Sequence, residues 1–253
     1  METASFVKTS IEKNIATIDF YHPASNSFPS SQLADLTTAI TQLNGNTSVN
    51  LIILKSTGDK AFCAGASFDE LLSIQDLEKG GTFFSGFANV INAMRKSDKI
   101  IVGRIQGKTV GGGVGLAAAC DYTFATRSAL IKLSELAIGI GPFVIEPAVS
   151  RKIGKPALAE MTLDAENWKS AEWAYENKLF TQLFDDAESM DEALAKFAQR
   201  LSGYNPEALY EMKKVLWEGT EHWDMLLTER AAISGKLVLS DFTVNALQAF
   251  KNK

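Results

Sequence analysis

Cysteine and histidine are scarce: Cys63, Cys120, His22 and His222 are all there are among 253 residues. Two thiols cannot form a metal site alone, and a metal is not expected. Neither histidine sits in a Ser/Asp motif, so both read as structural or exposed. A structural disulfide is not expected, because the chain reads as cytosolic. No stretch approaches the ~20 apolar residues of a membrane span. The start, Met-Glu-Thr-Ala-Ser, lacks the basic lead and apolar core of a signal peptide. A cytoplasmic location is therefore expected, with no membrane partner. Positive charge is not concentrated anywhere, and the net charge is −5, which speaks against nucleic acid as a partner. No internal repeat or low-complexity tract is visible.

What remains is an ordinary globular composition, 46% hydrophobic and 22% charged. The length suits one large domain or two modest ones. In the first half, strand-like and helix-like segments alternate. Ile15–Tyr21 alternates like a strand, and Pro29–Ile40 places Leu33, Leu36 and Ile40 on one helical face. Strands are expected at Val49–Leu54, Ile100–Ile105 and Tyr122–Ala125, and a helix at Phe83–Met94. After about Leu133 the strand signal fades. Helices are expected at Arg151–Leu163, Trp168–Asn177, Asp191–Gly203, Pro206–Trp217 and His222–Leu239. Asn205-Pro206 offers a cap followed by proline at the first position, and Gly203 and Gly219 suit helix ends. The tryptophans, Trp168, Trp173, Trp217 and Trp223, read as helix packing or subunit contact. The layout is an α/β core followed by a helical tail.

The most informative segment is Gly107-Lys-Thr-Val-Gly-Gly-Gly-Val-Gly-Leu-Ala-Ala-Ala-Cys-Asp121. Here a strand feeds a glycine turn that opens a small-residue helix. Such a turn presents free backbone N–H groups to an anion, or to an oxyanion formed during reaction. Two phosphate motifs fail: a Walker A loop would need glycine where Val102 stands, and a dinucleotide fingerprint would need it where Leu116 stands. Nucleotide hydrolysis and nicotinamide chemistry both lose ground. A helix–sheet contact without chemistry is the plain alternative. A second small-residue turn, Ala61-Phe-Cys-Ala-Gly-Ala-Ser-Phe-Asp-Glu70, lets a ligand approach the backbone. Two such turns can give one N–H each to a single oxygen. Cys63 and Cys120 read as small packing residues.

These segments resemble those of the crotonase (enoyl-CoA hydratase/isomerase) family. Phe62–Phe68 is similar to its first oxyanion segment and Gly107–Asp121 to its second. Pro23-Ala-Ser-Asn-Ser-Phe28 is similar to its adenine-side stretch, and Leu133-Ser-Glu-Leu-Ala-Ile-Gly139 to its acid-bearing segment. The resemblance implies a spiral of repeated ββα units over residues 1–195. It implies a C-terminal helical trimerisation region at 196–253, and a trimer or a hexamer built as a dimer of trimers. The substrate it implies is an acyl-CoA thioester, with coenzyme A part of the substrate and no separate cofactor. Carried over by position, the oxyanion donors are the N–H groups of Ala66 and Gly112. Glu135 becomes the acid/base. The implied substrate contacts are Ser25, Ala64, Gly65, Ser67, Phe68, Gly111, Gly115, Phe143 and Glu146. Leu133, Leu136, Ile138 and Phe143 are candidates for an apolar wall that raises the Glu135 pKa. The CoA phosphates are expected to meet lysines or arginines that include a neighbouring subunit's.

One departure matters. Hydratases of the family usually carry a second glutamate, and Gly115 stands in its place. Gly139-Ile-Gly-Pro-Phe-Val-Ile-Glu-Pro-Ala-Val149 resembles the methylglutaconyl-CoA hydratase-like branch, which also tends to have glycine there. The implied reaction is hydration of a branched or carboxylated 2-enoyl-CoA, as in leucine breakdown. Isomerisation of a 3-enoyl-CoA by Glu135 alone and non-catalytic thioester binding are the alternatives. Glu146 stands where that branch commonly has serine. It is open whether it is a second acid, a group that discourages an anionic acyl tail, or a solvated turn residue.

Overall fold

The structure is a computed structural model and describes residues 4–251. It opens with the hairpin β1 (Phe6–Glu12) and β2 (Ile15–Tyr21), then helix α1 (Ser30–Gln42). The succession long strand, short strand, helix follows twice. First come β3 (Leu51–Ser56), β4 (Ala61–Cys63), α2 (Phe68–Leu72) and α3 (Leu77–Lys96). Then come β5 (Ile100–Ile105), β6 (Lys108–Val110) and α4 (Gly112–Ala119). A third pair, β7 (Tyr122–Thr126) and β8 (Ile131–Lys132), leads into a 3-10 turn at Leu136–Ile138. The long strands join one sheet in the order β1-β2-β3-β5-β7, and the short ones form a separate sheet, β4-β6-β8. Only β1 runs antiparallel in the large sheet. This is the repeated ββα plan.

The central long strands β3, β5 and β7 form because their residues suit burial on both faces, whereas the edge strand β1 is mostly exposed. Along β3, Ile52 and Leu54 join the main core, while Leu51 joins a second cluster on the opposite face. In the main core Phe20 packs against Phe28 and Phe62 at centroid distances of 4.7 and 5.5 Å. The second cluster is covered by Met190, Leu194 and Ala198 of a later helix. Each of the larger side chains here contributes about 1.5–3 kcal/mol by leaving water.

The second half continues with α5 (Glu146–Leu163), α6 (Ala171–Glu176), strand β9 (Gln182–Phe184) and α7 (Ala187–Ser202). The last helices are α8 (Pro206–Leu216), α9 (Trp223–Leu237) and α10 (Asp241–Lys251). Several expectations change here. β9 adds a sixth strand beside β7, between two expected helices and where no strand was expected. Trp168 and Lys169 precede their helix in extended backbone, with Lys169 bridged to Ile131. α5 starts before Arg151 and breaks its helical backbone at Gly154 (φ 74°, ψ 163°). Asn205 caps α8 as expected, accepting from the N–H of Glu207 at 3.0 Å.

Asp121 fastens this tail to the core. Its carboxylate accepts from Lys213 Nζ, Trp217 Nε1 and the Ile101 N–H, each at 2.7 Å. Lys213 is only 2% exposed. α9 lies along α3 at a glycine crossing, where a Cβ on Gly80 would stand 2.7 Å from the Gly235 carbonyl oxygen. α10 rests on the 3-10 turn, with Phe242 and Thr243 against Gly139. Part of the tail expected to serve oligomerisation therefore also folds over the chain's own core.

Candidate active site

A cavity of about 960 Å³ opens where the small sheet meets α3, α4 and the C-terminal helices. Its first wall is a zipped pair of segments. Asn26 is buried and pins its loop by donating to the carbonyls of Thr57 and Ala61, each at 2.9 Å. Ser25 and Asn26 both take left-handed backbone, with φ of 54° and 57°. The Ala64 N–H then donates to the Ser25 carbonyl at 3.1 Å. Phe28 N–H donates to Gly65 O, and Ser67 N–H to Phe28 O, both at 2.8 Å. These two bonds flank Ala66, and its own N–H has no partner among the described residues.

The second wall is the glycine triplet, and each glycine faces something different. A Cβ on Gly111 would stand 2.9 Å from Glu135 Oε1. One on Gly112 would stand 2.2 Å from the Phe87 ring, and one on Gly113 would stand 2.6 Å from the Cys63 carbonyl. Gly111 also has φ 52°, which a side chain disfavours. Gly112 begins α4, so its N–H has no intrahelical acceptor, and it has no other partner among the described residues. The strand that delivers this turn is β6, not the Ile100–Ile105 strand; the chain crosses between sheets at Gln106-Gly107. The two walls abut, since a Cβ on Gly65 would stand 3.5 Å from Gly112 N. The cavity therefore carries two unpartnered N–H groups, from Ala66 and Gly112, on adjoining turns.

Glu135 lies at the start of the 3-10 turn. Its Oε2 is sealed from solvent and has no hydrogen-bond partner among the described residues. Burial pushes its carboxyl up to about 7, only partly offset by its own backbone N–H. A buried carboxyl without a cation favours its neutral form. Both buried thiols go the same way: Cys63 and Cys120 are pushed up to about 12 by burial. They are free and sit in the core as packing residues.

Ser25, Ala64, Gly65, Ser67, Phe68 and Gly111 line the cavity together with Ala66, Gly112 and Glu135. Gly115, Phe143 and Glu146 are not on its wall. Gly115 faces Ile145, whose Cγ2 would stand 2.4 Å from an added Cβ. The place of a second acid is thus filled by an apolar side chain. Phe143 turns its ring onto Gly141. Glu146 begins α5 and pairs with Lys155, with Arg230 at 4.0 Å. Of the expected apolar wall only Ile138 lines the cavity. Leu133 is buried in the core and Leu136 is 40% exposed. The wall is instead Phe84, Phe87, Ile140, Val144 and Ile145. The aromatics come from α3, where the sequence signalled only helix packing. Lys132, Ser134, Trp168 and Ser234 also reach the cavity. For Lys132 and Ser134 an alternating strand pattern leading to Glu135 was the available signal.

The enoyl-CoA hydratase/isomerase family profile matches residues 10–251. The chain belongs to this family. Among relatives, crotonyl-CoA hydratase of Syntrophomonas wolfei is 28% identical over 214 residues, covering 83% of this chain and 80% of that protein. The short-chain-enoyl-CoA hydratase of Clostridium acetobutylicum is 25% identical over 246 residues, covering 96% and 93%. A crystal structure of enoyl-CoA hydratase from Bacillus halodurans superposes with a TM-score of 0.90. It covers 97% of this chain and 100% of that one at 23% identity, a likeness of fold. The protein is thus an enoyl-CoA hydratase/isomerase-type enzyme of crotonase fold. No helix among the described residues is long and apolar enough to cross a membrane.

Proposed function

We propose that this enzyme hydrates a branched 2-enoyl-CoA of the methylglutaconyl-CoA kind to its 3-hydroxyacyl-CoA, with Glu135 as the acid/base. The observation that carries this is the Glu135 carboxyl: buried, unpartnered at Oε2, poised near neutrality, and set against Gly111 beside the two free N–H groups. The thioester oxygen accepts from Ala66 and Gly112. Ionised Glu135 takes a proton from water as the water oxygen bonds to Cβ. The double-bond electrons move onto the thioester oxygen. Glu135 then gives that proton to Cα, so one water has been added. Fixed donors stabilise the enolate without reorganising, each worth roughly 2.7–4 kcal/mol by analogy with a protease oxyanion hole. The two hydratase relatives support this direction.

Ile145 favours a second reading. With an apolar group at the place of a second acid, Glu135 could instead take a proton from Cα of a 3-enoyl-CoA and return it at Cγ. Product NMR in heavy water, with 2-enoyl, 3-enoyl and 3-methylglutaconyl thioesters, separates the two. A 3-hydroxyacyl product with deuterium at Cα supports hydration. Migration of the double bond without added oxygen supports isomerisation. Binding without turnover of any thioester would leave a non-catalytic CoA-thioester binder.

We further place the enzyme in the cytoplasm as a trimer or a dimer of trimers. Tyr210, Met212, Val215 and Leu216 of α8 and Met225 of α9 are large exposed apolar residues that support subunit contact.

A further inference from the structure

Lys132 is the one lysine or arginine among the described residues that line the cavity. It projects from β8 at a set position. Ile131 is fully buried behind the small sheet, and by strand alternation Lys132 faces the other way. Its register partner on β6 is Val110, which lines the same cavity. Its carbonyl accepts from the Gly111 N–H at 2.9 Å. The ammonium is thus rooted beside the turn that carries Glu135 and the Gly112 donor. Its Nζ donates to the main-chain oxygen of Glu166 at 2.6 Å and lies 5.7 Å from the centre of the Trp168 ring. Lys108, two residues before Val110 on the same face of β6, places its Nζ 5.3 Å from that ring. Asp69 and Glu166 are the cavity's carboxylates besides Glu135. None of the three forms an ion pair with either lysine among the described residues. An ammonium at the cavity wall with no counter-ion, with a second one beside the same indole, is a site for an anion.

We infer that Lys132, supported by Lys108 and Trp168, binds a terminal carboxylate on the acyl group and so selects carboxylated enoyl thioesters. This deepens the proposed function and rests on it for the position of the thioester. Distance along the substrate decides which anion is held. The whole pantetheine arm separates the thioester from the CoA phosphates, whereas Lys132 stems from the strand that pairs with the oxyanion turn. An anion held there belongs to the acyl chain. Glu146 raises no electrostatic objection, since it is off the wall and paired with Lys155.

The test compares two saturated thioesters that cannot react, 3-methylglutaryl-CoA and isovaleryl-CoA, which differ by one carboxylate. Calorimetry on the full chain gives a Kd for each. Wild type binds the carboxylated thioester at least about ten-fold tighter, and Lys132→Met collapses that ratio toward one while Lys132→Arg keeps most of it. Lys108→Met lowers the ratio by a smaller factor. Equal weakening of both thioesters by Lys132→Met would assign the lysine to a CoA phosphate and overturn the inference. A wild-type ratio near one would overturn it as well. The binding ratio does not depend on turnover. Normal turnover by Glu135→Gln would therefore remove the proposed function and leave this result standing as a separate measurement.

Discussion

Gly111 and Glu135 are matched: the bare Cα of one lies under the carboxyl of the other, and a Cβ there would stand 2.9 Å from Oε1. The acid keeps its place only because the first glycine of the triplet has no side chain. Gly111→Ala adds that contact to a backbone of φ 52°. We expect kcat to fall about ten-fold or more, with much less effect on thioester Kd. Steady-state kinetics beside calorimetry checks this.

Glu135→Gln removes the proton shuttle and keeps the shape. Turnover should fall by ~10²-fold or more while thioester binding persists. Single-turnover product analysis reads the loss, and near-normal rates would sink the assignment.

Because Glu135 titrates near 7 rather than at 4.5, two pH dependences follow. Hydration needs the carboxylate first, so kcat/KM should rise with pH through a midpoint near 7 in wild type. For stability the sign is opposite. The folded state holds this proton to higher pH than the unfolded chain, so stability falls as pH rises from about 4.5 to 7. The cost above that window is roughly 3 kcal/mol. Glu135→Gln should therefore raise Tm at pH 8 relative to wild type, by more than at pH 4. Equal Tm differences at both pH values would argue that the carboxyl is not buried as described.

Restoring a second acid is a matter of volume as well as charge. Gly115→Glu alone drives a side chain into Ile145 and should cost about 1–3 kcal/mol or more. The pair Gly115→Glu with Ile145→Ala should recover much of that loss. Denaturant midpoints of the three variants test this, and additive losses would refute the contact.

Lys213→Met removes the ion-pair partner of the buried Asp121 carboxylate, leaving only the more distant charges of Lys152 and Arg151. The expected destabilisation is about 3–5 kcal/mol. Adding Asp121→Asn should return part of it. A double-mutant cycle by urea unfolding measures the coupling, and none would mean the pair does not fasten α8.

The sequence by itself determined the family, the long strands β2, β3, β5 and β7, and which residues to examine as candidate reacting groups. Buried parallel strands such as Ile100–Ile105 are continuous apolar runs, and α1 repeats at helical spacing, so both are local signals. Gly111–Gly113 were legible as a turn from their residue types, whereas Glu135 was singled out only through the family resemblance, since a lone acid at a helix start is by itself more often a capping group. The short strands β4, β6 and β8 were not, being two or three residues long, too short for periodicity to register. They exist because they pair with one another across the chain, and they are what bring Ala66, Gly112 and Glu135 to one cavity. Tertiary packing alone decided that Phe87 lies over Gly112, that Ile145 fills the place beside Gly115, and that Phe143 and Glu146 turn away. The first two depend on which side chain from a distant segment arrives in a given volume, which no local pattern encodes, and the last two on contacts with Gly141 and Lys155 that the packed turn sets.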